Sequence, residues 1–256
     1  MTEAPLDNII QPVGLHVQLS DDWRVRAISA NSADLVGAAA EDLLEAPITD
    51  LFESDTVHSI RNRIALLRDK DAAGHVLNCQ FERTAGHFDL TVGRSGNGYA
   101  IDAEPSPGQP FGDAVGVVGG MAAMLDRCAD AEAIRDMAVR QLRGLTGFDH
   151  ATIDSAHAPG RAVMIVDCNA PPIAMLGKGA ELGRSLLRAP SPTEVEQLCG
   201  ADARAALVVP LDGPKSVVGS IICTHRLPRH VGVERRGIVM LFARFVALKL
   251  MLADRG

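Results

Sequence analysis

The sequence predicts an α+β protein of two domains, each an antiparallel sheet with flanking helices. Three observations carry this. Short runs of alternating apolar and polar residues recur in both halves of the chain. The Pro- and Gly-rich run EPSPGQPFGD, residues 104–113, separates the halves. Two long stretches, 117–145 and 235–252, carry apolar stripes at helical spacing. At 256 residues, 47% hydrophobic and 22% charged, the chain is long enough for two ordinary cores.

In the first half, GLHVQLSDDWRVRAISANSADL, residues 14–35, reads as strand, SDD turn, strand and helix, with Asn31 and Ser32 as helix-start residues. Val57, Ile60, Ile64 and Leu67 predict a helix over 55–67. Residues 76–90 alternate around a loop at Thr84, Ala85 and Gly86, and 99–103 closes the sheet. GRSGNG, 93–98, lacks the helix that follows a dinucleotide-binding loop and reads as a turn. This order, over 14–104 after an N-terminal segment 1–13, is that of a PAS domain. Past a linker at 105–116, residues 117–145 predict one long helix through Met121, Met124, Leu125, Cys128, Ile134, Met137, Ala138, Leu142 and Leu145, ending at Gly147. Strands follow at 162–166, 205–211 and 217–223, the last two joined by the turn DGPK. The closing helix, 235–252, has one ridge through Ile238, Leu241, Phe242, Phe245, Leu248 and Leu252, and a second through Val239, Val246 and Leu250. Helix, sheet, helix over 117–256 is the outline of a GAF domain.

A net charge of −7 and a pI near 5.6, with no long Lys/Arg cluster, argue against nucleic acid as a partner. No apolar run approaches the roughly 20 residues of a membrane span, and MTEAPLDN carries acids where a signal peptide carries bases, so the expected location is cytoplasmic. Cys79, Cys128, Cys168, Cys199 and Cys223 are odd in number and form no C-x-x-C pair, the pattern of reduced thiols.

IQPVGLHVQL, 10–19, with SANSADLVG, 29–37, resembles the opening of the phytochrome PAS domain. LTGFDHATI, 145–153, resembles its first GAF strand; LRAPSP, 187–192, and IICTHRLPRHV, 221–231, resemble the later motifs L-R-S-x-S-P-x-H and A-C-H-H-x-x-P-R. The chain thus resembles a bacteriophytochrome PAS–GAF pair. The resemblance implies a figure-of-eight knot in which Ile10, Gln11 and Pro12 thread a loop at 167–187. It also implies a homodimer built on the long helices.

The departures fall on the pigment chemistry. The family's attachment Cys ahead of I-Q-P has no counterpart in the nine residues before Ile10, and Thr193 stands at the alternative attachment position. Glu194 and Thr224 replace two pocket histidines, leaving His225. RAALVVPL, 204–211, replaces a serine-rich run. DSAHAPG, 154–160, joins the first GAF strand to RAVMIVDCNAPP where the family has a far longer run containing P-x-S-D-I-P. A tetrapyrrole needs a deep cavity, which a shortened domain does not readily supply.

The residues also have plain readings. Ser191, Pro192 and Glu194 fit an N-cap, a first-turn proline and a capping-box acid. Arg188 fits a salt bridge as well as a propionate clamp. Cys223 and His225 could start a metal pair but lack further ligands. No Ser-His-Asp, Cys-His or paired-carboxylate set stands out, so no catalysis and no metal are expected. The expectation is a non-catalytic, phytochrome-like signalling protein that has lost biliverdin and works through contacts with itself and another signalling protein, with Val239, Val246 and Leu250 at the dimer interface. The alternative is a sensor holding a small ligand, haem or non-covalent bilin in a remnant pocket of Arg188, Ser191, Thr193, Glu194, Thr224 and His225. A third possibility is a fragment of a longer protein with an output domain.

Overall fold

The computed structural model describes residues 8–69, 72–107, 112–156, 160–213 and 217–253. Residues 1–7 of the N-terminal segment, and parts of the expected linker, of DSAHAPG and of the DGPK turn, lie outside these. In chain order the elements are β1 (Ile9–Ile10), β2 (Leu15–Leu19), β3 (Val25–Ser29), α1 (Ser32–Val36), α2 (Ala40–Leu43), a 3-10 turn (Ile48–Asp50), α3 (Ser54–Ala65), β4 (Ala73–Phe81), β5 (Thr84–Ser95), β6 (Gly98–Pro105), α4 (Ala114–Leu125), α5 (Ala131–Thr146), β7 (His150–Asp154), β8 (Val163–Ile165), β9 (Ile173–Gly177), α6 (Pro192–Gly200), β10 (Ala205–Asp212), β11 (Val217–His225) and α7 (Val233–Ala253). Two compact units form: Met1–Gln109 with Ala170–Ser191, and Pro110–Asn169 with Pro192–Gly256.

The first unit is a seven-stranded sheet in the order β1-β9-β3-β2-β6-β5-β4, in which every pairing is antiparallel. Strand alternation sends Leu15, Val17, Leu19, Leu90, Val92, Ile101 and Ala103 into one core with Phe52, Val57, Ile60 and Ile64 from the helical layer. Phe52 stacks on Phe81 there at a centroid separation of 4.4 Å, and Phe88 meets Phe81 edge to face at 4.6 Å. The SDD turn is stiffened by Trp23, which adopts φ 65°, stacks on Tyr99 at 4.4 Å and lies under the Arg61 guanidinium.

One strand of this sheet has no sequence signal. Residues 173–177 follow two prolines and fall within the 117–256 range expected for the second domain, yet β9 pairs with β3 through Ala27–Gly177, Ile28–Leu176 and Ser29–Met175. Gly177 ends it at φ 100°, where an added Cβ would fall 2.2 Å from the Arg26 carbonyl oxygen, so only glycine fits this approach.

The second unit holds a four-stranded antiparallel sheet, β7-β11-β10-β8. The single helix expected over 117–145 is two. Asp130 takes an extended conformation (φ −149°, ψ 178°) and its Oδ1 accepts from the Ala133 N–H at 2.9 Å, an N-cap worth about 1 kcal/mol that starts α5 afresh after α4. Helix α7 packs against α4, α5 and β10. This reverses the expected use of its ridges. Val239, Val246 and Leu250 are core residues, exposed by only 0, 0 and 5%, so they are not side chains that a partner covers. The outward stripe is Leu241, Phe245, Leu248 and Leu252, at spacings of four, three and four.

Candidate functional site

The N-terminal segment is gripped on both sides by residues 170–191. On one side Ile9 pairs with Ala174 and Ile10 with Ile173. On the other, the Gln11 N–H donates to the Leu187 carbonyl at 2.6 Å, the Ala189 N–H donates to the Ile9 carbonyl at 3.0 Å, and Ile10 bridges Arg188. The Gln11 side chain adds a bond from Nε2 to the Arg188 carbonyl at 3.0 Å. Ile10 and Gln11 are buried, Ile10 against Leu182, Leu187, Val13, Ile173 and Met175; Pro12 is exposed.

The outer face of the same sheet is polar yet buried, which demands partners for its side chains. His16 Nδ1 lies 2.6 Å from Asp102 Oδ1, and Gln18 Nε2 donates to the Glu181 carbonyl at 2.7 Å. Ser185 Oγ donates to Asp102 Oδ1 at 2.7 Å, and the Leu186 N–H to Asp102 Oδ2 at 3.2 Å. Asp102 is thus the knot of a network that fastens residues 185–187 to β2 and β6. The carboxylate stands between Ser185 and His16, so no bond joins the hydroxyl to the imidazole and the set lacks the order of a Ser-His-Asp triad. A cleft of about 160 Å3 opens beside it, lined by His16, Thr91, Arg94, Asp102, Glu181 and Ser185 among others. His16 Nε2 has no partner among the described residues and is sealed from solvent. The ring therefore braces the sheet, and the cleft offers its polar rim alone. The sequence trace of this network is a run of polar residues at alternate strand positions, His16 and Gln18 in LHVQL and Asp102 and Glu104 in YAIDAE.

In the second unit the strand register sorts the candidate pocket residues. Thr224 pairs with Ala206 and His225 with Ala205, so the two neighbours face opposite sides of the sheet. Thr224 lies on the face away from α5 and α7, with Val163, Val208 and Ile222. His225 lies on the other, its Nδ1 2.5 Å from Asp149 Oδ2 at the sheet end. The Arg226 backbone N–H and the His225 ring hold the Asp149 carboxyl below its usual range. His225 therefore does not share a pocket wall with Thr224. Cys223, on its side, is fully buried with its thiol pushed up to about 12 by desolvation, the opposite of what a metal-binding thiolate needs. Among the described residues no three His, Cys, Asp or Glu side chains gather as a metal site.

Helix α6 begins at Pro192, directly after Ser191, and carries Thr193 and Glu194 in its first turn. Its Val195 and Leu198 pack on Ile165, Ala206, Cys168, Ala203 and Val163, occupying part of the Thr224 face. The rest of that face, Val208 and Ile222, is half-buried. Arg188 and Ser191 belong to the first unit and the other four candidates to the second.

Residues 5–106 match the PAS fold family. The whole architecture matches the chromophore-binding domain of a Stigmatella aurantiaca bacteriophytochrome in the Pr state, at TM-score 0.84 and 21% identity over 97% of this chain and 98% of that one. The photosensory core module of a Stigmatella aurantiaca phytochrome matches at TM-score 0.84 and 21% identity, over 99% of this chain and 60% of that one. The chromophore-binding domain of an unusual bacteriophytochrome from R. palustris matches at TM-score 0.80 and 20% identity, over 99% and 98%. No curated protein matches. By fold this is a PAS–GAF protein. The fold is that of the bacteriophytochrome chromophore-binding domains it matches, with a seven-stranded sheet in the first unit and a four-stranded sheet in the second. Among the described residues no helix is long and apolar enough to cross a membrane.

Proposed function

We propose that this protein is a phytochrome-like signalling component that works without a bilin, through protein–protein contacts made as a homodimer. The observation that carries the reading is the Thr224 face of the second sheet. Where the resemblance puts pocket histidines the chain has Glu194 at the start of α6 and Thr224 on β11, and Val195 and Leu198 fill the ground beside them. Thr193 removes one attachment position, and residues 1–9 hold no Cys to supply the other. The face of RAALVVPL that meets this ground is Ala206, Val208 and Pro210, which offer no hydrogen bonds from their side chains to propionates. Nothing in this constellation calls for catalysis, and the signal passes through surfaces.

The dimer contact in this reading is the stripe Leu241, Phe245, Leu248 and Leu252 of α7, with Met124 of α4, all of them 38% exposed or more. A two-fold pairing of one such stripe with its copy is the simplest closed arrangement. The second reading, a sensor for a small apolar ligand, haem or a non-covalent bilin, is favoured by the half-buried Val208 and Ile222 beside Thr224.

Absorption spectra of the purified protein mixed with biliverdin and with haem separate the two. The first reading expects the spectra of the free pigments and no covalent adduct on a denaturing gel. A red-shifted, saturable band with either pigment transfers the case to the second reading.

A further inference from the structure

We propose that Cys168 and Cys199 form a reversible disulfide that closes the 170–191 segment into a covalent ring. Both cysteines belong to the second unit, one just before this segment and one just after it. The Cys168 N–H donates to the Arg204 carbonyl at 2.8 Å, and its Sγ faces the Ala203 carbonyl at 3.8 Å. Cys168 also packs on Leu198, the residue before Cys199. The Cys199 carbonyl accepts from the Asp202 N–H at 3.2 Å, so the turn that ends α6 brings Cys199 back to the corner that holds Cys168. The two thiols share this corner, close enough for each to sense the other's charge. The corner is braced by Arg204, whose Nε and Nη2 reach the Asp167 carboxylate at 3.0 and 2.6 Å.

The pair is asymmetric in the way that oxidation requires. Cys199 is exposed and Cys168 buried, whereas Cys79 and Cys223 are both buried. With hydrogen peroxide as oxidant, the Cys199 thiolate attacks the O–O bond and becomes a sulfenic acid, releasing one water after protonation. The Cys168 thiolate then attacks that sulfur, the S–O bond breaks, and a second water leaves. Two thiols and one peroxide give one disulfide and two waters. A small-molecule dithiol reverses the step by exchange.

The ring would include residues 173–174 and 187–189, the two arms that hold Ile9–Gln11. Closing it removes from the unfolded chain the freedom of those arms to part. Oxidation therefore tightens the hold on the N-terminal segment.

The test is peptide mapping of the purified full chain after one equivalent of peroxide. Trypsin cuts between the two cysteines at Lys178, Arg184 and Arg188. A Cys168–Cys199 linked pair is expected, two hydrogens lighter than its parts, lost on adding dithiothreitol, absent in Cys199→Ser and kept in Cys128→Ser. Hydrogen exchange at the Ile10 and Gln11 amides is expected to slow by about tenfold in the oxidised form. Accumulation of Cys199 sulfinic acid with Cys168 still a free thiol would overturn the disulfide. Unchanged exchange in a fully linked sample would overturn the tightening.

Discussion

The His16 imidazole and the Asp102 carboxylate meet at 2.6 Å with side chains exposed by only 1 and 7%, on adjacent strands whose opposite face is the apolar core. Asp102 is also the acceptor for Ser185 and Leu186, from a segment more than eighty residues further along. Removing the carboxylate strands three donors at once. Asp102→Ala is expected to destabilise the first unit by about 3 kcal/mol, in the range for breaking a buried charged network. The single tryptophan, Trp23, lies in this unit and stacks on Tyr99, so its fluorescence in a urea titration reports the change. A loss below about 0.5 kcal/mol would show that the network contributes little beyond what water supplies.

The exposed stripe of α7 makes a directional prediction about assembly. Phe245→Glu and Leu248→Glu place charge on side chains that are 38 and 46% exposed, so each is expected to turn a dimer into a folded monomer. Val246→Glu puts charge at a position with 0% exposure and is expected to unfold the second unit instead. Light scattering and circular dichroism on the same samples distinguish the outcomes. A wild-type mass of one chain, 27.1 kDa, at tens of micromolar removes the stripe as a dimer contact.

Two thiols give a pH dependence with a defined sign. Desolvation, aided at Cys79 by the Asp89 charge, pushes Cys79 and Cys223 from 9.0 up to about 12. Below pH 9 both states hold these protons and the thiols cost nothing. Between pH 9 and 12 the unfolded chain releases protons that the folded chain keeps, so folding stability falls as pH rises. The urea midpoint is expected to drop from pH 8 to pH 10, and to drop less in the Cys79→Ala, Cys223→Ala double variant. Equal slopes in the two proteins would place the titrating groups elsewhere. At neutral pH, Cys199 is expected to alkylate first, while Cys79 and Cys223 wait for unfolding.

The parts of the structure legible in sequence are those whose signal is local. Strands β2 and β3, the β10–β11 hairpin and α7 announce themselves by alternation or by helical spacing, since each buries one face. Strand β9 does not: PPIAMLGKG has neither a long alternating run nor a turn partner nearby, and it is a strand because β3 and β1 offer it edges. The Asp102 network was out of reach for the same reason, because spacing does not say that position 102 lies beside 16 and 185. The α7 ridges show a different limit: periodicity finds faces but not what covers them, and with α4, α5 and β10 all packed on one helix the inward face is the wider one. The pairing of Thr224 with His225 in one pocket was excludable in advance, since consecutive strand residues point to opposite sides.

Ile10 tests whether the grip on the N-terminal segment is structural. It is wholly buried, paired with Ile173 on one side and bridged to Arg188 on the other, with Leu182 and Leu187 closing over it. Ile10→Ala removes three carbons from a packed site and is expected to cost about 2–4 kcal/mol through lost transfer energy and the cavity left behind. Ile10→Asp should do more, because it sets a carboxylate among the apolar side chains of Leu182, Leu187, Ile173 and Met175, which favours lifting the strand out. Once β1 lifts, β9 loses one edge partner, and the Lys178–Gly179 and Arg184–Ser185 bonds become easier targets for trypsin. Limited proteolysis of Ile10→Asp at neutral pH is therefore expected to cut within 178–184 before any site in α5 or α7. Cleavage at the wild-type rate, with Trp23 fluorescence unchanged, would mean that residues 170–191 hold their place without the segment they enclose.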